Sequence, residues 1–181
     1  MTHEIRRLQE VVAYKNSFVT VFDDKVEFPT GRNGNYLRIT PATPGDPVVV
    51  LAERRGLIGL VRSFRYPIAA AQWALPRGFA LGTDIDASAL AELREELGVT
   101  KAELRLLGYV TPDSGLLSTR VAIIAARVLE STDSFEDKEE IEANMWVTRD
   151  RISEMILTGE IEDGFTLSAL TLADLRNAST S

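Results

Sequence analysis

A mixed α/β sandwich is the fold class this sequence predicts, on three observations. Apolar runs of strand length separated by turn residues fill the first third of the chain, a strong helix pattern lies mid-chain, and two further helix patterns lie toward its end. With 181 residues, there is enough chain for one ordinary globular core.

Residues 1–16 read as an N-terminal tail carrying His3, the single histidine. Phe18-Val19-Thr20-Val21-Phe22 is rich in strand formers and is expected to stop at Asp23-Asp24, with Val26-Glu27-Phe28 as the return strand running into Pro29-Thr30-Gly31. Asn33-Gly34-Asn35 is a turn signal before Tyr36-Leu37-Arg38-Ile39, and residues 41–47 form a second loop. Val48–Leu51 and Leu57–Val61 flank Glu53-Arg54-Arg55-Gly56 as a hairpin of buried strands. A shaped loop is expected over Trp73-Ala74-Leu75-Pro76-Arg77-Gly78-Phe79. A helix follows, capped by Asp84 or Asp86, filled by strong helix formers from Ala89 to Leu97 and stopped by Gly98. Leu104–Val110 and Val121–Leu129 read as strands joined through Pro112-Asp113-Ser114-Gly115. An acidic segment from Ser131 to Glu142 leads into a last strand near Met145-Trp146-Val147. Helices over about 150–158 and 166–176 complete the chain, and 177–181 read as a C-terminal tail.

The charge balance narrows the chemistry. Twenty basic against twenty-seven acidic residues give a net charge of −7, which disfavours nucleic acid and anionic membrane surfaces as partners. The sequence has no cysteine, so disulfides, thiol nucleophiles and Cys/His zinc sites are excluded, and the lone histidine leaves no Ser-His triad. Acid–base or metal chemistry must therefore run on carboxylates. No apolar run has the length of a membrane span or the shape of a signal peptide, and a cytoplasmic location is expected.

Carboxylates gather in one place. On a helix, Glu92, Glu95 and Glu96 fall within about a 100° arc, and Leu90, Leu93 and Leu97 fall on a neighbouring arc. Like charges three or four positions apart each cost roughly 0.2–0.5 kcal/mol, and no Lys or Arg of the helix stands three or four positions from any of the three. A hard dication relieves such crowding, because Mg²⁺ takes oxygen ligands and bridges to phosphates. A solvated acidic face is the plainer reading of the same three residues.

The loop, helix and glycine stop from Gly78 to Val99, ending Glu92-Leu93-Arg94-Glu95-Glu96-Leu97-Gly98-Val99, resemble the Nudix box, G-x5-E-x7-R-E-U-x-E-E-x-G-U with U a bulky aliphatic residue. Three further segments resemble the ADP-ribose pyrophosphatase branch of the Nudix hydrolases: Val26-Glu27-Phe28-Pro29-Thr30-Gly31, Val61-Arg62-Ser63-Phe64-Arg65-Tyr66-Pro67, and Gly159 through Leu167. The resemblance implies a Nudix-type α/β/α sandwich with a mixed sheet, one domain over 17–176, preceded by N-terminal antiparallel strands. It further implies that the 17–47 hairpin region serves a homodimer. The box departs from the family pattern at its first half, which is one residue short. Thr83 or Asp84 stands for the first Glu, Ala91 for the Arg and Ala74 for a Glu before the loop.

By this resemblance, Glu92, Glu95 and Glu96 hold Mg²⁺ or Mn²⁺ with the backbone carbonyl of Arg77, and Glu95 and Glu96 serve catalysis. The base that activates water is Glu139 or Glu140, with Asp137 a third candidate. Arg62 and Arg65 meet the anionic substrate or form surface ion pairs, and Trp73 stacks on a nucleobase or covers the core. The implied reaction is Mg²⁺-dependent hydrolysis of a nucleoside diphosphate linked to another moiety, ADP-ribose to AMP and ribose 5-phosphate or a related nucleotide sugar. The altered box keeps a rival open, a Nudix-fold nucleotide-binding or regulatory domain with weak or no turnover. An acidic interaction domain without a nucleotide site is the third reading.

Overall fold

A computed structural model describes residues 3–132, 134–137 and 139–178. The chain divides into two compact units, one running up to Pro44 together with Thr111–Arg120, the other formed by Gly45–Val110 and Val121 onward.

In the first unit, β3 (Val19–Glu27) is the central strand, with β4 (Asn33–Pro41) antiparallel along one edge. β1 (Arg6–Gln9) and β2 (Val12–Lys15) share the other edge, pairing with its second and first halves respectively. The expected tail over 1–16 thus contains two strands. They lie exposed along their whole length, so no burial pattern marks them in the sequence. The expected stop at Asp23-Asp24 is also absent, and β3 runs straight through it. The cost of burying Asp24 is met by Arg38 Nε, which donates to Oδ2 at 2.6 Å, and by the Val11 N–H, which donates to Oδ1 at 3.1 Å. The turn lies at Phe28–Arg32, with Gly31 at φ 79°, and Asn33-Gly34-Asn35 begin β4 instead.

The second unit is built on a seven-stranded mixed sheet. Its order is β11 (Ile141–Val147), β6 (Leu57–Arg65), β5 (Val48–Arg54), β10 (Val121–Ser131) and β9 (Val99–Val110). β7 (Ala70–Ala74) pairs with β6, and the two-residue β8 (Arg77–Gly78) pairs with β5. β5 and β10 run parallel while the other pairs are antiparallel. Both central strands are buried on two faces, as their unbroken apolar runs predict. Val48, Val50 and Ala52 face one cluster with Ala89, Leu93 and Leu97 of α1 (Ile85–Leu97). Val49 and Leu51 face the opposite cluster with Ile152 and Met155 of α2 (Arg149–Leu157) and Ala169, Leu170 and Ala173 of α3 (Gly164–Ala178). Helices on both faces of the mixed sheet make the α/β/α sandwich expected from the sequence.

No helix among the described residues is long and apolar enough to cross a membrane.

Candidate active site

α1 carries the acidic cluster and is fixed at both ends. Asp84 is its N-cap, accepting the N–H groups of Asp86 at 3.0 Å and Ala87 at 3.1 Å, and Gly98 closes it in the left-handed region at φ 65°. Leu93 and Leu97 are buried as expected, but Leu90 is 41% exposed. The side chain that takes an inward place is Glu96, only 6% exposed.

Glu92 and Glu96 lie against the loop in front of the helix. The backbone N–H of Arg77 donates to Glu96 Oε2 at 3.2 Å. The Glu92 carboxylate rests on Gly78 so closely that a Cβ there would stand 1.9 Å from Oε1. Here glycine serves close approach, and the Pro-Arg-Gly stretch is shaped by its seating against β5. Glu95 is more exposed and pairs with Arg94 at 3.2 Å.

The late acidic loop is docked on the end of the same helix. The N–H groups of Glu136 and Asp137 donate to the carbonyl of Glu95 at 2.8 and 2.9 Å, and that of Thr132 donates to the carbonyl of Gly98 at 2.8 Å. Asn144 Nδ2 donates to the carbonyl of Glu96 at 3.1 Å. The Asp137 carboxylate accepts the N–H groups of Glu139 and Glu140, shaping the loop.

These placements concentrate negative charge. Burial, and then the charges of Glu95, Asp137 and Glu140, push Glu92 up to about 7. Burial and the charge of Glu92 push Glu96 up to about 8, with Asp137 adding to the rise, while the hydrogen bond from Arg77 and the charge of Arg65 partly offset it. Asp137 and Glu140 are therefore the late-loop acids whose charge reaches the helix cluster.

The basic residues divide. Arg62 pairs with Glu142, whereas Arg65 Nε and Nη2 are buried without a hydrogen-bond partner among the described residues. Arg77 Nη2 stands 3.2 Å from Asp163 Oδ1, and its guanidinium lies 4.9 Å from the centroid of the Phe165 ring. Trp73, opposite Arg62 across the β6–β7 pair, packs against the core cluster that contains Leu60 and Leu75.

Asp163 was not among the residues expected at the site. It is 7% exposed, and Oδ2 accepts both the N–H and the hydroxyl of Thr166 at 2.8 Å. Asp163-Gly164-Phe165-Thr166 has the form of a helix N-cap, and it lies in the segment Gly159 through Leu167 that resembles the family branch. Nothing in the sequence points to its partner Arg77.

The donor set suits a hard dication, being all carboxylate and carbonyl oxygen, with the buried Glu96 and the half-buried Glu92 raised first by desolvation and then by neighbouring negative charge. The side chains are not drawn tightly together. Among the described residues, no group of three or more His, Cys, Asp or Glu meets as a metal cluster.

Comparison with known proteins agrees with this arrangement. A family described as "NUDIX domain" matches residues 42–166. A solved structure titled "Crystal structure of ADP compounds hydrolase" superposes with a TM-score of 0.85 at 16% identity, covering 100% of this chain and 98% of that one. At that identity the likeness is one of fold. No curated protein sequence matches. The matched span covers more than half of the chain, including β5, the shaped loop, α1 and the late acidic segment, and on it the chain belongs to the Nudix family.

Proposed function

We propose that this protein is a Nudix pyrophosphohydrolase that uses Mg²⁺, or Mn²⁺, to hydrolyse a nucleoside diphosphate linked to another moiety. ADP-ribose, giving AMP and ribose 5-phosphate, or a related nucleotide sugar is the proposed substrate. The observation that carries this reading is the pair Glu92 and Glu96, two carboxyls held against the backbone of Gly78 and Arg77 and raised to about 7 and about 8, first by burial and then by the charges of neighbouring acids. Such an arrangement is costly to the fold and is relieved by a dication.

In this reading Glu92, Glu95 and Glu96, with the Arg77 carbonyl, hold the metal. When bound, it supplies charge neutralisation for the pyrophosphate and a lowered pKa for water. Arg65 presents its guanidinium to a phosphate, consistent with its buried unpartnered N–H groups. Arg62 is a weaker contributor because Glu142 already engages it. Glu140 or Glu139, or Asp137 beside them, takes the proton of the attacking water as its oxygen joins phosphorus and the bridging P–O bond breaks. Trp73 is the proposed wall of the nucleobase pocket, although its packing on the core already accounts for its place. The exposed apolar side chains Leu8, Val12, Tyr14, Phe18 and Leu37 of the first unit support a homodimer formed through that region.

The altered box, with Ala91 in place of the family's Arg and Thr83 or Asp84 in place of its first Glu, favours a second reading, a Nudix-fold domain that binds the nucleotide with little or no turnover. Incubation with Mg²⁺ and a panel of ADP-ribose, sugar nucleotides and dinucleoside polyphosphates, followed by phosphatase-coupled phosphate release, separates the two. Turnover that falls by at least about a hundredfold in Glu96→Gln supports the enzyme. Binding without turnover supports the second reading, and neither result would leave both without support.

A further inference from the structure

We infer that Asp163 is a positioning residue for the divalent-metal site, acting through the Arg77 side chain; this rests on the metal-dependent reading above. The chain of contacts is continuous. Asp163 Oδ2 accepts the N–H and the hydroxyl of Thr166, both at 2.8 Å, which fixes the carboxylate at the head of α3. The same Thr166 hydroxyl oxygen accepts the Leu75 N–H at 3.0 Å, and Asp163 Oδ1 pairs with Arg77 Nη2 at 3.2 Å. The first turn of α3 thereby grips both sides of Pro76. On the far side of the gripped segment, the Arg77 N–H meets Glu96 Oε2 and Gly78 seats the Glu92 carboxylate. The place of the Arg77 carbonyl and of two acidic ligands is thus set from a helix 86 positions beyond the loop, counted from Arg77 to Asp163.

Two features favour positioning over simple stability. Asp163 and Thr166 are both buried, so the link is sheltered from water and salt. The Arg77 guanidinium is held on two sides by one short segment, with Asp163 Oδ1 at 3.2 Å from Nη2 and the Phe165 ring centroid at 4.9 Å. Outer contacts of this kind orient metal ligands, and their loss typically weakens metal affinity about tenfold or more.

The test is Mn²⁺ affinity of the metal-free full chain, read by the EPR signal of free Mn²⁺, for wild type, Asp163→Asn, Arg77→Ala, the double variant and Glu96→Gln. Melting in EDTA is followed in parallel. Asp163→Asn is expected to weaken Mn²⁺ binding about tenfold, and the double variant to bind no worse than Arg77→Ala alone, because both act on one link. Asp163→Asn with wild-type Mn²⁺ affinity, or effects that simply multiply in the double variant, overturns the inference. If Asp163→Asn does not fold, Arg77→Lys, which keeps the charge and loses the fork, carries the same expectation and the same refutation. Loss of binding in Glu96→Gln alone refutes the Asp163 link and leaves the metal site standing. Retention of binding in Glu96→Gln refutes the metal site itself.

Discussion

Two buried acids, one in each unit, are treated in opposite ways. Desolvation pushes Asp24 up, but hydrogen bonds from Arg38 and the Val11 N–H, and the charges of Arg38 and Arg7, outweigh it and hold the carboxyl below its usual range. At Glu96 desolvation wins, joined by the charge of Glu92, because one backbone N–H and the charge of Arg65 are too little to oppose it. Asp24 is a completed structural pair. Glu96 is an incomplete one, which in the proposed reading a dication completes.

Removing a partner from the completed site has the largest expected effect on stability. Arg38→Met leaves Asp24 buried and unpaired and is expected to cost about 3 kcal/mol in denaturant unfolding at pH 7. A cost near zero would mean that Asp24 is hydrated in solution.

The pH dependence of the metal-free protein sharpens the contrast. Glu92 and Glu96 titrate near 4.5 when unfolded and near 7 and 8 when folded, so between those values the folded state holds more protons. Their contribution to stability is full below pH 4.5 and is lost as pH rises through about 8. Asp24 has the opposite sign, since its stabilisation is present above its unfolded value of 3.8 and is lost as pH falls through its lower folded value. Glu96→Gln keeps an oxygen for the Arg77 N–H and removes the charge. In EDTA at pH 8 it is expected to melt several degrees above wild type, with the difference vanishing near pH 5. Equal melting at both pH values would show that Glu96 ionises freely.

The smallest expected effect on the fold is at Gly78. Gly78→Ala brings a Cβ against the end of the flexible Glu92 side chain, which can swing away. Melting in EDTA should barely change while Mn²⁺ binding weakens severalfold. A large loss of stability would show that Glu92 cannot move.

How much of this is legible in the sequence follows from the range of the interactions involved. The continuous apolar runs of β5 and β10, and the Asp84 cap and Gly98 stop of α1, are local signals and are read directly. β1 and β2 are short and exposed, so periodicity has nothing to report. Asp23-Asp24 resembles a turn because the residue that makes Asp24 tolerable, Arg38, lies on the next strand. At the site, the spacing of Glu92, Glu95 and Glu96 marks the acidic helix, but not which of them turns inward. The Asp163–Arg77 link joins residues that only the folded sheet brings together, and Leu75 and Thr166 in the same network are 91 positions apart.

In the proposed reading Glu92 and Glu96 stay partly protonated until a dication takes the proton's place. Calorimetric titration of the metal-free protein with Mg²⁺ at pH 7, in buffers of different ionisation enthalpy, counts the protons expelled on binding. Release of about one proton or more per chain is expected, reduced in Glu96→Gln. Binding without proton release in the wild-type protein would contradict it.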